Sequence, residues 1–112
     1  MRVILREGAQ RQFVAAITQC ELLFGRRVAS HFYEMVEHSI SLLAVNPRMG
    51  ERELLLEDRQ IKYRSLLVHK HFKVVYYIDE SEDTVYIVAL WDVRREPREQ
   101  AGDMKENTDN MK

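Results

Sequence analysis

The chain has 112 residues, 46% of them apolar, which makes it one globular domain: too apolar for disorder and too short for two cores. Its 17 basic and 18 acidic residues leave a net charge of −1, so any field that binds a partner must come from clustering and not from the total. The single cysteine, Cys20, excludes an intramolecular disulfide, and no apolar run reaches the roughly 18 residues that span a bilayer. "MRVILREGAQ" is too short and too quickly polar for a signal peptide, so a cytoplasmic protein without a membrane partner is expected.

The first element is a short strand over residues 2–6, "RVILR", with β-branched residues at its centre. A helical pattern starts at Glu7, with Phe13, Ile17, Cys20 and Phe24 recurring at spacings of four, three and four as one apolar stripe. Gly25 punctuates it as a C-cap. A second helix follows with Phe32, Val36, Ile40 and Leu43 on one face, and Asn46-Pro47 stops it, because the ring of Pro47 disfavours the α conformation before it. So short a connection predicts an αα-hairpin. "PRMGERELLLEDR" then reads as a loop with a turn at Gly50.

Three strands close the domain. "IKYRSLLV", residues 61–68, and "HFKVVYYI", residues 71–78, alternate apolar and polar positions, while "TVYIVALW", residues 84–91, is apolar on both faces, as a mid-sheet strand should be. The turn at His69-Lys70 lacks the Asn-Gly or Asp-Gly of a tight hairpin, whereas "DESED" is a clear acidic turn. The order is β-α-α-β-β-β: an α+β fold in which an antiparallel meander sheet packs on an α-helical hairpin. The domain is expected over residues 1–99, with 100–112, "QAGDMKENTDNMK", a polar disordered tail.

Between Arg59 and Ile78 lie five Lys or Arg, two His and no acid. Period-two geometry turns Phe72, Val74, Tyr76 and Ile78 toward the helices and Lys73 away from them. Arg64 on the neighbouring strand would join Lys73 on an open, helix-free face if the register allows. Without other information, those cations read as a solvated face that discourages edge-to-edge aggregation.

"NPRMG" after the second helix, "YRSLLVHKHFKVVYYID" over two strands and "YIVALWDVRREP" over the last strand and its exit resemble the RelE/ParE family of toxins from bacterial type II toxin–antitoxin systems. The similarity runs from the first strand to about Arg98. It implies a growth-inhibiting toxin of a plasmid-stabilisation module, covered by a cognate antitoxin. RelE-like members cut mRNA at the ribosome, whereas ParE-like members poison DNA gyrase. For the ribonuclease branch the resemblance implies catalytic cations at Arg64, Lys73 and Arg95, within a target- or nucleic-acid-binding set of Lys62, Arg64, Lys73, Arg94 and Arg95. Cleavage by a ribose 2′-hydroxyl also needs a base and an acid. Leu66 stands where that pattern wants a second lysine, and "EPREQAGD" after Arg95 has no Tyr or His. Only His71 or His69 could take the role of the acid, from the hairpin turn. The "RREP" ending is closer to ParE-like and unclassified members, which favours a toxin that binds gyrase over an mRNA endoribonuclease or a non-toxic antitoxin-binding module.

The remaining candidates read as structural. His31, Glu34 and His38 share a helix face but lack the histidine spacing of zinc helices, so no metal and no cofactor is expected. Cys20 lies on an apolar stripe and reads as a buried thiol. Trp91 and the tyrosines read as core and cross-strand packing. "ELLLE", residues 53–57, is unusually apolar for a loop and reads as a short element or a patch awaiting the antitoxin.

Overall fold

Gly25, held at φ 93° where a side chain would be strained, ends one helix and starts the next with no loop between them. In the computed structural model, which describes residues 1–104, helix α1 spans Glu7–Phe24 and α2 spans Arg26–Val45. The two lie against each other as the expected hairpin. Phe13 of α1 and Phe32, Val36 and Leu43 of α2 are buried, with Ile17, Cys20 and Ile40 partly so. Phe24 leaves its predicted stripe and is 66% exposed: at the free end of the hairpin no described element covers it or its neighbours Leu22, Leu23 and Val28.

Strands β1 (Arg2–Leu5), β2 (Glu51–Arg52), β3 (Arg64–His69), β4 (Phe72–Asp79) and β5 (Thr84–Asp92) form one sheet in the order β1-β5-β4-β3-β2. β3, β4 and β5 make the antiparallel meander, and the α+β class and the β-α-α-β-β-β order stand. Two features add to the reading from sequence. β1 pairs with β5 in parallel, so the sheet is mixed, and the two-residue β2 pairs with the start of β3. β5 lies between two strands, which accounts for its apolar character on both faces. The "DESED" turn is built by Asp79, whose carboxylate accepts from the N–H groups of Ser81 and Glu82, and by Asp83 at φ 52°.

The sheet has a core on each side. Phe72, Val74, Tyr76 and Ile78 pack with Phe13, Phe32 and Val36 against the helices, as the alternation predicts. The opposite face carries Val75 and Tyr77 of β4 and Ala89 and Trp91 of β5, and it is not the open surface expected. The "ELLLE" segment folds as a 3-10 turn, Leu54–Leu56, that inserts Leu56, and helix α3 (Pro97–Asp103) adds Ala101. Four apolar side chains on one sheet face would cost too much left in water, so the loop and helix cover them. The boundary expected at residue 99 therefore falls inside a helix. Gln100 and Ala101 are buried, and the Gln100 amide both accepts from Asp92 N–H and donates to its carbonyl, each at 2.9 Å. Residues 105–112 of the expected tail lie outside the described residues.

Candidate functional site

Arg64 and Lys73, expected side by side, project from opposite faces of the sheet. In the β3–β4 register Arg64 is opposite Tyr76 and Leu67 is opposite Lys73. Cross-strand partners share a face, so Arg64 takes the helix-facing side of Tyr76 while Lys73 stands with Val75 and Tyr77 on the other. Sequence alternation fixes the face of each strand only relative to itself; the register, which includes a shift between Leu67 and His69, decides the parity between strands. The Arg64 guanidinium is spent on main chain, donating to the Gly50 carbonyl at 2.6 Å and to that of Arg48 at 3.4 Å. Gly50 is held there by Tyr76, whose buried hydroxyl accepts from Gly50 N–H at 3.0 Å and donates to the Pro47 carbonyl at 2.7 Å.

Lys73 is locked into an internal ion pair. Its Nζ lies 2.6 Å from Glu53 Oε1, and 5.3 Å from the centre of the Trp91 ring. Glu53, only 6% exposed, also accepts from Ser65 Oγ at 2.8 Å and from Leu55 N–H at 3.2 Å. Burial alone would push this carboxyl up, but the hydrogen bonds from Lys73, Ser65 and Leu55 outweigh it and hold its pKa below the ordinary value. The cluster anchors the loop over the second core. No sequence signal pointed to Glu53 as its centre, because a glutamate beside three leucines reads as a solvated flank.

The other cations are also tied. Arg94 donates to both carboxylate oxygens of Asp92 at 3.0 Å, which lowers the Asp92 pKa, and its guanidinium lies 5.9 Å from the Phe72 ring. Arg95 pairs with Glu99 at 2.9 Å and approaches Asp103 at 3.8 Å. His69 packs edge-on against Phe32 of α2, on the side away from Lys73. Burial, followed by the charges of His71, Lys70, His31 and Arg94, lowers its pKa. The backbone N–H of His71 faces His69 Nδ1 at 3.4 Å, in the turn beside Asp92. Lys62 is exposed. Along β4, the row of Arg64 and the row that ends at Asp92 are four residues apart, about 13 Å at ~3.3 Å per residue. The predicted cations thus do not converge on one phosphate-sized site.

A different constellation was missed. Between α1, β5 and α3 opens a cleft of about 690 Å³ whose walls include Arg6, Arg11 and Arg95 and whose floor includes Val88, Ala89 and Trp91. Arg6 is oriented by a 2.9 Å hydrogen bond to Tyr77 Oη and by the Tyr86 ring, 4.3 Å from its guanidinium carbon. Arg6 and Arg11 stand five residues apart at a strand-to-helix junction, and only the tertiary fold brings Arg95 to them. Among the described residues no group of three His, Cys, Asp or Glu could hold a metal ion, and no helix is long and apolar enough to cross a membrane.

Residues 3–97 match the family model described as the ParE toxin of the type II toxin–antitoxin system, parDE. A solved structure described as the chromosomal ParDE TA system from P. aeruginosa superposes with a TM-score of 0.67 at 14% identity, over 83% of this chain and 96% of that one. At that identity the likeness is one of fold. No curated protein matches the chain. The family model covers most of the sequence, from the first strand to the start of α3, and on that ground the chain belongs to the ParE toxin family of type II toxin–antitoxin systems.

Proposed function

We propose that this chain arrests bacterial growth by binding a macromolecular target in the cytoplasm, DNA gyrase in the first instance, within a plasmid-stabilisation module whose cognate antitoxin neutralises it. One observation carries the choice of binding over catalysis: Arg64 and Lys73 stand on opposite faces, and Lys73 is neutralised by Glu53 at 2.6 Å. An mRNA endoribonuclease needs cations gathered around one scissile phosphate together with a proton donor. Here Arg64 is spent on main-chain carbonyls across the sheet from Lys73, and His69 packs against Phe32 on the helix side, away from Lys73. The candidate target-binding cations Lys62, Arg94 and Arg95 are exposed, and in this reading they contribute to docking through charge and shape.

Induced expression in a bacterial host tests this. The expected result is growth arrest with gyrase-linked DNA breaks, induction of the DNA-damage response and intact mRNA. Rapid mRNA cleavage at ribosomes would overturn the reading in favour of a ribonuclease. Unimpaired growth would leave a non-toxic module that binds antitoxin.

A further inference from the structure

The cleft between α1, β5 and α3 sets cations beside apolar surface. Arg6 has no carboxylate partner among the described residues, and Tyr77 and Tyr86 hold its guanidinium in place. Arg11 and Arg95 have carboxylate partners, but in exposed pairs: Arg11–Glu7 is 71% and 88% exposed, Arg95–Glu99 50% and 63%, and Arg95–Asp103 50% and 68%. Exposed pairs of this kind contribute about 0–1 kcal/mol, so a partner's carboxylate can replace any of these acids at little cost. Below these arginines, Val88 and Met104 are only partly buried.

We infer that this cleft receives an acidic-apolar segment of the cognate antitoxin, whose carboxylates engage Arg6, Arg11 and Arg95 while its apolar side chains cover Val88 and Met104. The inference rests on the antitoxin-neutralised reading above and adds the place and chemistry of the contact. Charge density selects a protein segment over nucleic acid. Three arginines face two carboxylates, Glu7 and Asp103, in the cleft walls, so the formal charge is 3 − 2 = +1. A phosphate backbone, with a charge on every nucleotide, would meet those two acids, whereas a peptide can place single carboxylates opposite the arginines. Shape agrees. Gly8, Arg11 and Ala15 of α1 line the cleft at spacings of three and four, and Leu22, seven residues past Ala15 and 81% exposed, prolongs that stripe. From Gly8 to Leu22 the stripe runs about 21 Å at ~1.5 Å per residue, room for a segment of several turns.

The test titrates the cognate antitoxin, identified by its rescue of growth when co-expressed, against the full-length toxin and three variants. Arg11→Glu and Ala15→Trp change exposed cleft positions, and Arg6→Glu removes the oriented cation. Each should weaken antitoxin binding by about tenfold or more, and the wild-type affinity should fall with added salt. Arg26→Glu, at the far end of the hairpin, should leave binding unchanged. Arg11→Glu and Ala15→Trp keep the test valid if Arg6→Glu unfolds through loss of its Tyr77 bond. Wild-type affinity in Arg11→Glu and Ala15→Trp would overturn the inference and leave the antitoxin reading standing. A wild-type toxin that does not bind the antitoxin would overturn both. Binding of a single-stranded oligonucleotide that depends on Arg11 would replace the peptide by nucleic acid.

Discussion

Glu53 and Lys73 meet at 2.6 Å beneath the loop that closes the helix-free face of the sheet. The carboxylate is almost fully buried and the ammonium a quarter exposed, so each partner is more costly alone than the pair is together. Lys73→Met should therefore lower stability by about 2 kcal/mol, by stranding the Glu53 charge. The double change Lys73→Met with Glu53→Leu should recover most of that loss. Urea denaturation of the four proteins of the cycle measures the coupling. If Lys73 serves the fold and not the target, the double variant stays toxic; loss of toxicity in a stably folded double variant would assign Lys73 to the target surface.

The same pair sets a pH dependence. The folded-state pKa of Glu53 is lowered, so its contribution is fully present above the unfolded value of about 4.3 and is lost as pH falls through the folded value. Asp92, also lowered, acts in the same direction. Stability should thus fall below about pH 4.3. The gap between wild type and Glu53→Gln should be widest near neutrality and narrow in acid. Denaturation midpoints at pH 7 and pH 3 check the sign, and a gap that widens in acid would contradict it.

Gly50 is a position where a single methyl group should matter. A Cβ there would lie 2.6 Å from the Ser65 carbonyl oxygen and 2.6 Å from the Tyr76 hydroxyl, one of them backbone that cannot step aside. Gly50→Ala should cost about 1–3 kcal/mol by overpacking. Tyr76→Phe should cost a similar amount, since it leaves Gly50 N–H and the Pro47 carbonyl without their buried partner. Arg64→Ala, which frees the Gly50 carbonyl, should also loosen this loop, by about 1 kcal/mol. Thermal melts of the three variants measure these costs. An Arg64→Ala protein that loses toxicity at unchanged stability would return Arg64 to the target surface.

What could be read from the sequence and what could not divide along the range of the interactions. The stripe of Phe32, Val36 and Leu43 and the alternation of Phe72, Val74 and Tyr76 are local periodicities, and they placed the helices and the core face of β4 correctly. The relation of Arg64 to Lys73 depends on register across a hairpin whose turn carries no defining residues, and a one-residue slip there exchanges faces. Helix α3 carries a local start signal, with Glu96 accepting from Arg98 N–H and Pro97 in the first turn, but its seven residues offer too few apolar positions to set a period. The Arg6, Arg11 and Arg95 cleft left no trace in the sequence, because its members meet only when α3 docks beside α1.

Gln100 is the latch of that docking. Its buried amide satisfies both main-chain groups of Asp92 at 2.9 Å, the same two groups a further strand would pair. Gln100→Ala leaves an N–H and a carbonyl unmet in a partly buried place, a cost of about 1–3 kcal/mol. Among the described residues the helix and its C-cap add Ala101 and Met104 to the second core, so opening should be local and leave the helix-side core intact. Hydrogen exchange should show faster exchange over residues 97–103 and at Asp92, with Val74 and Tyr76 still protected. Arg59 would also lose its acceptors on α3, the Ala101 and Met104 carbonyls. Uniform deprotection of both cores would mean that α3 unfolds only with the whole domain. In that case the cleft beside it is a rigid surface that a partner meets already formed.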